Sequence, residues 1–332
     1  MTCRALMVER SSALSSRLRS AFDATVELVR SVPPEAALQA LRDDAYDVVL
    51  LEVAPPPIEL LRVVELIMAE RPLPIVLLAS AANRHLSFPL LSAGALDALE
   101  LPLRVDEAFQ AELHRQLLFL ATVRVVRHPR GHRRRSSASR LTATRPAYPL
   151  VAVAASLGGP RALAELLSDL PDDFGAPVVV CQHITPGFSG DLAQWLAAET
   201  GLRVHEASEG QQLVKGEVFI APANRHLVVL ASGLLRCEDS APVGGFRPSC
   251  DVLLRTAAEV FGSRAIGVVL TGMGRDGARG LLEVKEHGGH TVAQDEASCA
   301  VFGMPREAIA LGAAELVLPL AEIGGQLSRW VL

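Results

Sequence analysis

The chain has 332 residues, half of them hydrophobic and only 4% aromatic, with a formal net charge of −5. That length holds two domains with separate cores, and the composition is that of an ordinary soluble protein. No apolar run reaches the roughly 18 residues that cross a membrane, and Met1-Thr2-Cys3-Arg4 leads straight into a predicted strand rather than a signal peptide, so the expected compartment is the cytoplasm. Five scattered cysteines (Cys3, Cys181, Cys237, Cys250, Cys299) form no C-x-x-C and fit reduced thiols; no metal and no organic cofactor is expected. From the amino terminus, short apolar strands are predicted at Cys3 to Val8, Val26 to Val29, Asp47 to Leu51, Ile75 to Ala79 and Ala95 to Leu99. Helical patterns near 11–23, 34–43, 58–70, 83–93 and 105–120 separate and follow them. Strands alternating with helices give an α/β domain over 1–122, a doubly wound parallel sheet of flavodoxin-like order.

Composition changes over 123–147. Arg124, Arg127, Arg130, Arg133, Arg134, Arg135, Arg140 and Arg145 occur there without an Asp or Glu, and Ser, Thr, Gly and Pro fill much of the rest. The segment reads as a flexible linker, whose roughly 25 residues span about 25–30 Å on average. The arginines alternatively suggest a grip on nucleic acid or on an acidic partner surface, but no aromatics interleave with them, so nucleic acid is not expected as a partner.

Residues 148–332 begin a second doubly wound parallel sheet. Val151-Ala152-Val153-Ala154-Ala155 reads as a buried strand ending at Ser156; Gly158 and Gly159 then permit a tight turn, and Pro160 suits a first helical turn. The run is similar to the nucleophile elbow G-x-S-x-G with Ala154 at the first Gly, although such a turn also serves structure or phosphate binding. Pro177 to Gln182 is a second strand and ends at His183; Ala265 to Leu270 is a third and opens into Thr271-Gly272-Met273-Gly274-Arg275-Asp276-Gly277. Chemistry collects at the carboxyl ends of such strands. Ser156, His183 and Asp276 are therefore candidates for a triad, in which an imidazole takes the serine proton and a carboxylate fixes the imidazole tautomer.

At this point the carboxyl-terminal half resembles the catalytic domain of the chemotaxis protein-glutamate methylesterases, the CheB family. The blocks that carry the resemblance are Ala155-Ser156-Leu157-Gly158-Gly159-Pro160, Gln182-His183-Ile184-Thr185-Pro186-Gly187-Phe188 and Ile220-Ala221-Pro222-Ala223-Asn224-Arg225-His226-Leu227. Arg247-Pro248-Ser249-Cys250-Asp251-Val252-Leu253, the 270–277 run and the segment from Ala293 to Pro305 complete the set. The resemblance implies Ser156 as nucleophile, His183 as general base and Asp276 as its orienting partner. It also implies the Met273 N–H in an oxyanion hole, with backbone support from Gly158, Gly159, Gly272 and Gly274. Demethylation of γ-glutamyl methyl esters on chemoreceptor cytoplasmic helices is the implied activity, with deamidation of Gln as a second reaction of the same chemistry. A chemosensory histidine kinase or array is an implied partner. Leu157 and Arg275 depart from the family's usual Thr or Ser and Asn. A non-catalytic scaffold of a chemosensory array is the alternative, and the intact triad argues against it.

The amino-terminal half resembles the response-regulator receiver that precedes this esterase in the family. Its functional positions hold other residues: Glu9-Arg10 at the acidic pair, Glu52 at the phosphoacceptor, Ala79 (with Ser80 adjacent) at the hydroxyl and Leu101 at the Lys. Such a site suits a hard divalent metal poorly, so phosphorylation is not expected. Glu52 reads either as a permanent substitute for a phosphorylated Asp or as a relic of a decayed site. Of the remaining groups, Asp295-Glu296 is expected to close a turn with Gln294 and Ser298, and Cys181 to be a small core residue, though a pairing with His183 is conceivable. His205, His226, His287 and His290 read as surface or local hydrogen-bonding residues.

Overall fold

The computed structural model describes residues 2–123 and 148–331, so the linker expected at 123–147 lies, apart from Val123, outside the described residues. Two compact units are present, Met1–Arg127 and His128–Leu332. In the first, strands β1 (Cys3–Val8), β2 (Val26–Val32), β3 (Val48–Val53), β4 (Ile75–Ala79) and β5 (Asp97–Glu100) form a sheet of order β2-β1-β3-β4-β5. Every pairing is parallel, and this is the flavodoxin-like order. Helices α1 (Ala13–Arg17), α2 (Ala37–Asp43), α3 (Pro57–Glu70), α4 (Ser87–Ala93) and α5 (Glu107–Leu120) alternate with the strands.

Two boundaries differ from expectation for local reasons. The helix expected over 11–23 stops at Arg17 and continues only as a 3₁₀ turn, Arg19–Ala21. The Ser15 and Ser16 hydroxyls both donate to the Ser12 carbonyl, a back-bond that competes with a continuous helix. Strand β2 runs on to Val32 at the sheet edge: the register with β1 shifts by one residue between Leu28 and Arg30, and pairing then continues through the exposed Arg30 and Ser31.

The second unit is built on β6 (Leu150–Ala155), β7 (Val178–Gln182), β8 (Arg203–Glu206), β9 (Glu217–Ile220), β12 (Ala265–Val269), β13 (His290–Gln294) and β14 (Leu316–Leu318). Their order is β14-β13-β12-β6-β7-β9-β8, parallel throughout, while β10 (His226–Val229) and β11 (Leu235–Glu238) make a separate antiparallel hairpin. Helices are α6 (Gly159–Ser168), α7 (Ser189–Thr200), α8 (Cys250–Phe261), α9 (Ala278–Glu286), α10 (Met304–Ala310) and α11 (Leu320–Val331). The chain enters at the middle strand β6, winds outward through β7, then returns to β12 on the other side of β6. Crossovers of one handedness in opposite directions place helices on opposite faces, so α8, α9 and α10 pack together and α6 packs with α7 and α11.

Small residues bring these layers close. Ala152 and Ala154 of β6 share a core with Leu253, Leu254 and Ala257 of α8. A Cβ on Gly267 of β12 would lie 2.7 Å from Leu281 of α9, and one on Gly280 would lie 2.7 Å from Leu254, so α9 approaches both the sheet and α8 because neither position carries a side chain. The turning point between β6 and β12 is the crevice where open parallel sheets bind their ligands.

Candidate active site

Ser156 leaves the carboxyl end of β6 at this crevice. Its N–H donates to Thr271 O (3.0 Å), at the exit of β12, and its carbonyl accepts from Gly159 N (2.8 Å) to close the turn. The left-handed residue of the turn is Gly158 (φ +72°), which caps α6, and Asn224 is the one non-glycine residue with positive φ among those described. The likeness to a G-x-S-x-G elbow therefore fails in its backbone: the strain that elbow places on its serine falls here on Gly158. A Cβ on Gly158 would meet Ala300 Cβ at 2.6 Å, and one on Gly159 would overlap Gln182 Oε1 at 1.9 Å, so both positions exclude side chains.

Gln182, which sequence reasoning passed over, joins the two strand ends. It is buried, and its Nε2 donates to Ser156 O and to His183 O, both at 2.7 Å. With His183 N bonded to Ala155 O (3.0 Å), the serine and histidine backbones are fixed to each other across adjacent parallel strands. The clue in the sequence is a polar residue closing the apolar run Val178-Val179-Val180-Cys181, since a buried amide there requires partners.

His183 and Asp276 meet directly: Nε2 donates to Asp276 Oδ2 at 2.8 Å, with both side chains largely buried. Asp276 Oδ1 accepts from Ser249 Oγ (2.8 Å) and Asp251 N (3.0 Å), and Oδ2 also accepts from Cys250 N (2.7 Å). The carboxylate thus sits on the amino terminus of α8, where free N–H groups and the helix dipole favour an anion. Burial opposes its ionisation, but the His183 hydrogen bond and charge and the α8 N–H groups hold it below the ordinary carboxylate value. Burial likewise opposes an imidazolium, yet the Cys250 sulfur and the Asp276 carboxylate hold His183 above the ordinary histidine value. The Cys250 thiol is itself pushed well above its ordinary value by burial and stays protonated near neutrality, so Asp276 supplies the charge.

With Nε2 committed to Asp276, the other ring nitrogen decides the chemistry. His183 Nδ1 is buried and has no hydrogen-bond partner. In the neutral ring, the Nε2–H tautomer that Asp276 selects leaves Nδ1 with an open lone pair, the state a general base needs in order to take a hydroxyl proton. Phe246 stacks on the imidazole, with centroids 4.3 Å apart and planes 2° from parallel, and fixes the ring orientation.

The 271–277 loop supplies the opposite wall. Thr271 N donates to the buried Gln294 Oε1 (2.8 Å), while its Oγ1 donates to Leu157 O (3.0 Å) and accepts from Val301 N (2.9 Å). Gly272 lies under the serine: a Cβ there would meet Ser156 Cβ at 2.7 Å and Met304 Sδ at 2.3 Å. Gly272 N donates to Val301 O, and Gly272 O accepts from Gly303 N and Met304 N. The Met273 N–H, between Gly272 and the left-handed Gly274 (φ +87°), meets no protein acceptor among the described residues. Leu157 is turned inward, while Arg275 is exposed. Asp295 and Ser298 do close a turn (Ser298 N to Asp295 Oδ1, 2.9 Å), stabilised by Gln294 Nε2 on Ser298 O. His226 is a buried pin rather than a surface residue. Its Nδ1 accepts from Ser249 N (3.1 Å) and its Nε2 lies 3.1 Å from Ala241 O, bracing both ends of the segment that carries Phe246.

At the corresponding edge of the first unit the polar groups have other tasks. Glu9 is buried and accepts from Leu14 N (2.8 Å), Ser15 N (3.1 Å) and Ser31 Oγ (2.5 Å). Arg10 donates through its backbone to Glu52 Oε2 (3.3 Å), and its guanidinium pairs with Glu59 (2.9 Å) and reaches Pro56 O. A carboxylate already saturated with hydrogen bonds beside a resident guanidinium does not fit the Mg²⁺ of a phosphorylatable receiver.

The CheB methylesterase family model matches residues 151–327. Protein-glutamate methylesterase FrzG of Myxococcus xanthus is 46% identical over 337 residues, covering 100% of this chain and 99% of the relative. A protein-glutamate methylesterase/protein-glutamine glutaminase of Anaeromyxobacter dehalogenans is 47% identical over 87% of this chain and 84% of its own. The solved catalytic domain of Thermotoga maritima CheB methylesterase superposes with a TM-score of 0.55 at 40% identity, covering 56% of this chain and 100% of that one. This chain belongs to the CheB methylesterase family.

Proposed function

We propose that this protein hydrolyses γ-glutamyl methyl esters on the cytoplasmic helices of chemoreceptors, releasing methanol, and deamidates glutamine at such positions by the same route. The observation that carries the reading is the division of labour on His183: Nε2 is held by a buried, helix-capped carboxylate, and Nδ1 is left without a partner. Ser156 Oγ attacks the ester carbonyl as Nδ1 takes its proton, and Asp276 stabilises the resulting imidazolium. The developing oxyanion accepts from the Met273 N–H. Methanol leaves with the proton returned by Nδ1, and a water activated by the same nitrogen releases the glutamate product. Base catalysis contributes typically about 10²–10⁴ in rate, and an oxyanion donor about 10²–10³. With glutamine as substrate the leaving group is ammonia.

The first unit acts without phosphorylation in this reading. Glu52 is a relic rather than a mimic of an acyl phosphate: it holds a backbone N–H of Arg10, and Leu101 stands where a reporting cation belongs. The test is methanol release from a methylated receptor cytoplasmic fragment by the full chain and by Ser156→Ala. Release confined to the unsubstituted chain is the expected result. Absence of release from both would return the array-scaffold reading to first place.

A further inference from the structure

Beneath the imidazole lies a group of side chains that the hydrolytic steps leave unused. Cys181 and His183 are two apart at the end of β7 and so share a face, and Cys250 opens α8 against them. Both cysteines are fully buried. Cys250 Sγ lies 3.5 Å from His183 Nε2, and the two sulfurs and a ring nitrogen all fall within 4.8 Å of one another. Metal–sulfur bonds of about 2.3 Å and metal–nitrogen bonds of about 2.0–2.1 Å place tetrahedral ligands about 3.5–3.8 Å apart, so the existing sulfur–nitrogen spacing is already that of two ligands on one ion. Asp276 Oδ2, 2.8 Å from Nε2, stands ready as an oxygen ligand.

We propose that Cys181, Cys250 and His183 form an inhibitory site for a thiophilic d¹⁰ divalent cation of the zinc or cadmium type. Two thiolates and one imidazole match such ions and not magnesium or calcium, which take oxygen ligands. Both sulfurs are fully buried, and each thiol must give up its proton to ligate the ion. Binding releases one proton from each thiol to solvent. The imidazole proton moves from Nε2, which now donates its lone pair to the metal, to Nδ1. That transfer is what inhibits: Nδ1–H cannot accept the Ser156 proton. The inhibitory half of the proposal rests on the esterase reading, whereas the binding half does not.

The test uses the full chain titrated with cadmium chloride, reading the ultraviolet thiolate-to-cadmium charge-transfer band and, separately, methanol release before and after a chelator. One cadmium per chain, a band lost in Cys181→Ala/Cys250→Val but kept in Cys299→Ala, and chelator-reversible loss of turnover are expected. Because binding displaces ligand protons, affinity is expected to rise with pH. Each variant is compared with itself without metal, so a change in basal rate does not confuse the result. No band in the unsubstituted chain, or inhibition undiminished in the double variant, overturns the site. A band with full turnover overturns its coupling to His183. A band in a chain with no turnover at any condition supports the site and counts against the esterase reading.

Discussion

Two parallel sheets in this chain present the same kind of edge, and their polar groups are arranged in opposite ways. At the edge of the first, Glu9 caps α1, Arg10 is tied to Glu52 and Glu59, and Arg84 pairs with Glu100 at 2.9 Å. At the edge of the second, Asp276 and Thr271 are held by hydrogen bonds and Gln182 donates to two neighbouring carbonyls, while His183 Nδ1 and Gln182 Oε1 have no hydrogen-bond partner and the Met273 N–H meets no protein acceptor among the described residues. The named polar groups of the first edge are engaged with one another, whereas the second edge leaves a ring nitrogen and a backbone N–H without protein partners among the described residues.

The comparison breaks most sharply at the serine. Ser156→Ala is expected to lower methanol release by at least about 10⁴-fold with little change in thermal midpoint. Asp276→Asn follows at about 10⁴-fold, because the imidazole loses its tautomer control. It also moves the pH profile. Activity requires neutral His183, whose value Asp276 holds high, so the rate rises with pH and its acid limb shifts to lower pH in the variant. Stability responds with opposite signs: the contribution of Asp276 is lost as pH falls through its lowered value, and that of His183 is lost as pH rises through its raised value.

Smaller effects separate positioning from chemistry. Gly272→Ala forces a methyl against Ser156 Cβ and Met304 Sδ; the thioether can move and the serine cannot, so turnover is expected to fall about 10²–10³-fold with the oxyanion geometry. Gln182→Ala removes the donor that Ser156 O shares with Gly159 N and the side-chain donor of His183 O, and is expected to cost about 1–3 kcal/mol, read by denaturant unfolding, with a smaller loss of turnover. At the opposite edge, Glu52→Gln is expected to change the esterase rate less than twofold, and neither form to take up label from a small-molecule phosphodonor. A large rate change there would restore the mimicry reading of Glu52.

Much of the fold is legible in the chain because buried parallel strands are near-continuous apolar runs, unbroken in β4 and β6 and interrupted by single residues such as Arg4 in β1, Glu52 in β3 and Gly267 in β12. The short strands β8, β9, β10, β11 and β14 have three or four residues each, too few for a period to declare itself. The proposed catalytic trio, Ser156, His183 and Asp276, is readable because each member follows a recognisable strand. Gln182, Thr271, His226 and Phe246 were not, since their parts depend on which segments the sheet brings together.

By itself the sequence determined the longer buried strands, the glycines that only a left-handed turn or a close approach explains, and the residue types of the trio. It did so because local periodicity and the steric needs of glycine are properties of a few neighbouring residues. Only the tertiary structure decided that Asp276 sits on the first turn of α8, that His183 therefore bonds it through Nε2 and leaves Nδ1 without a partner, and that Cys181 and Cys250 converge beneath it. Those facts arise from contacts spanning 26 to 93 residues of chain, and no local pattern encodes them.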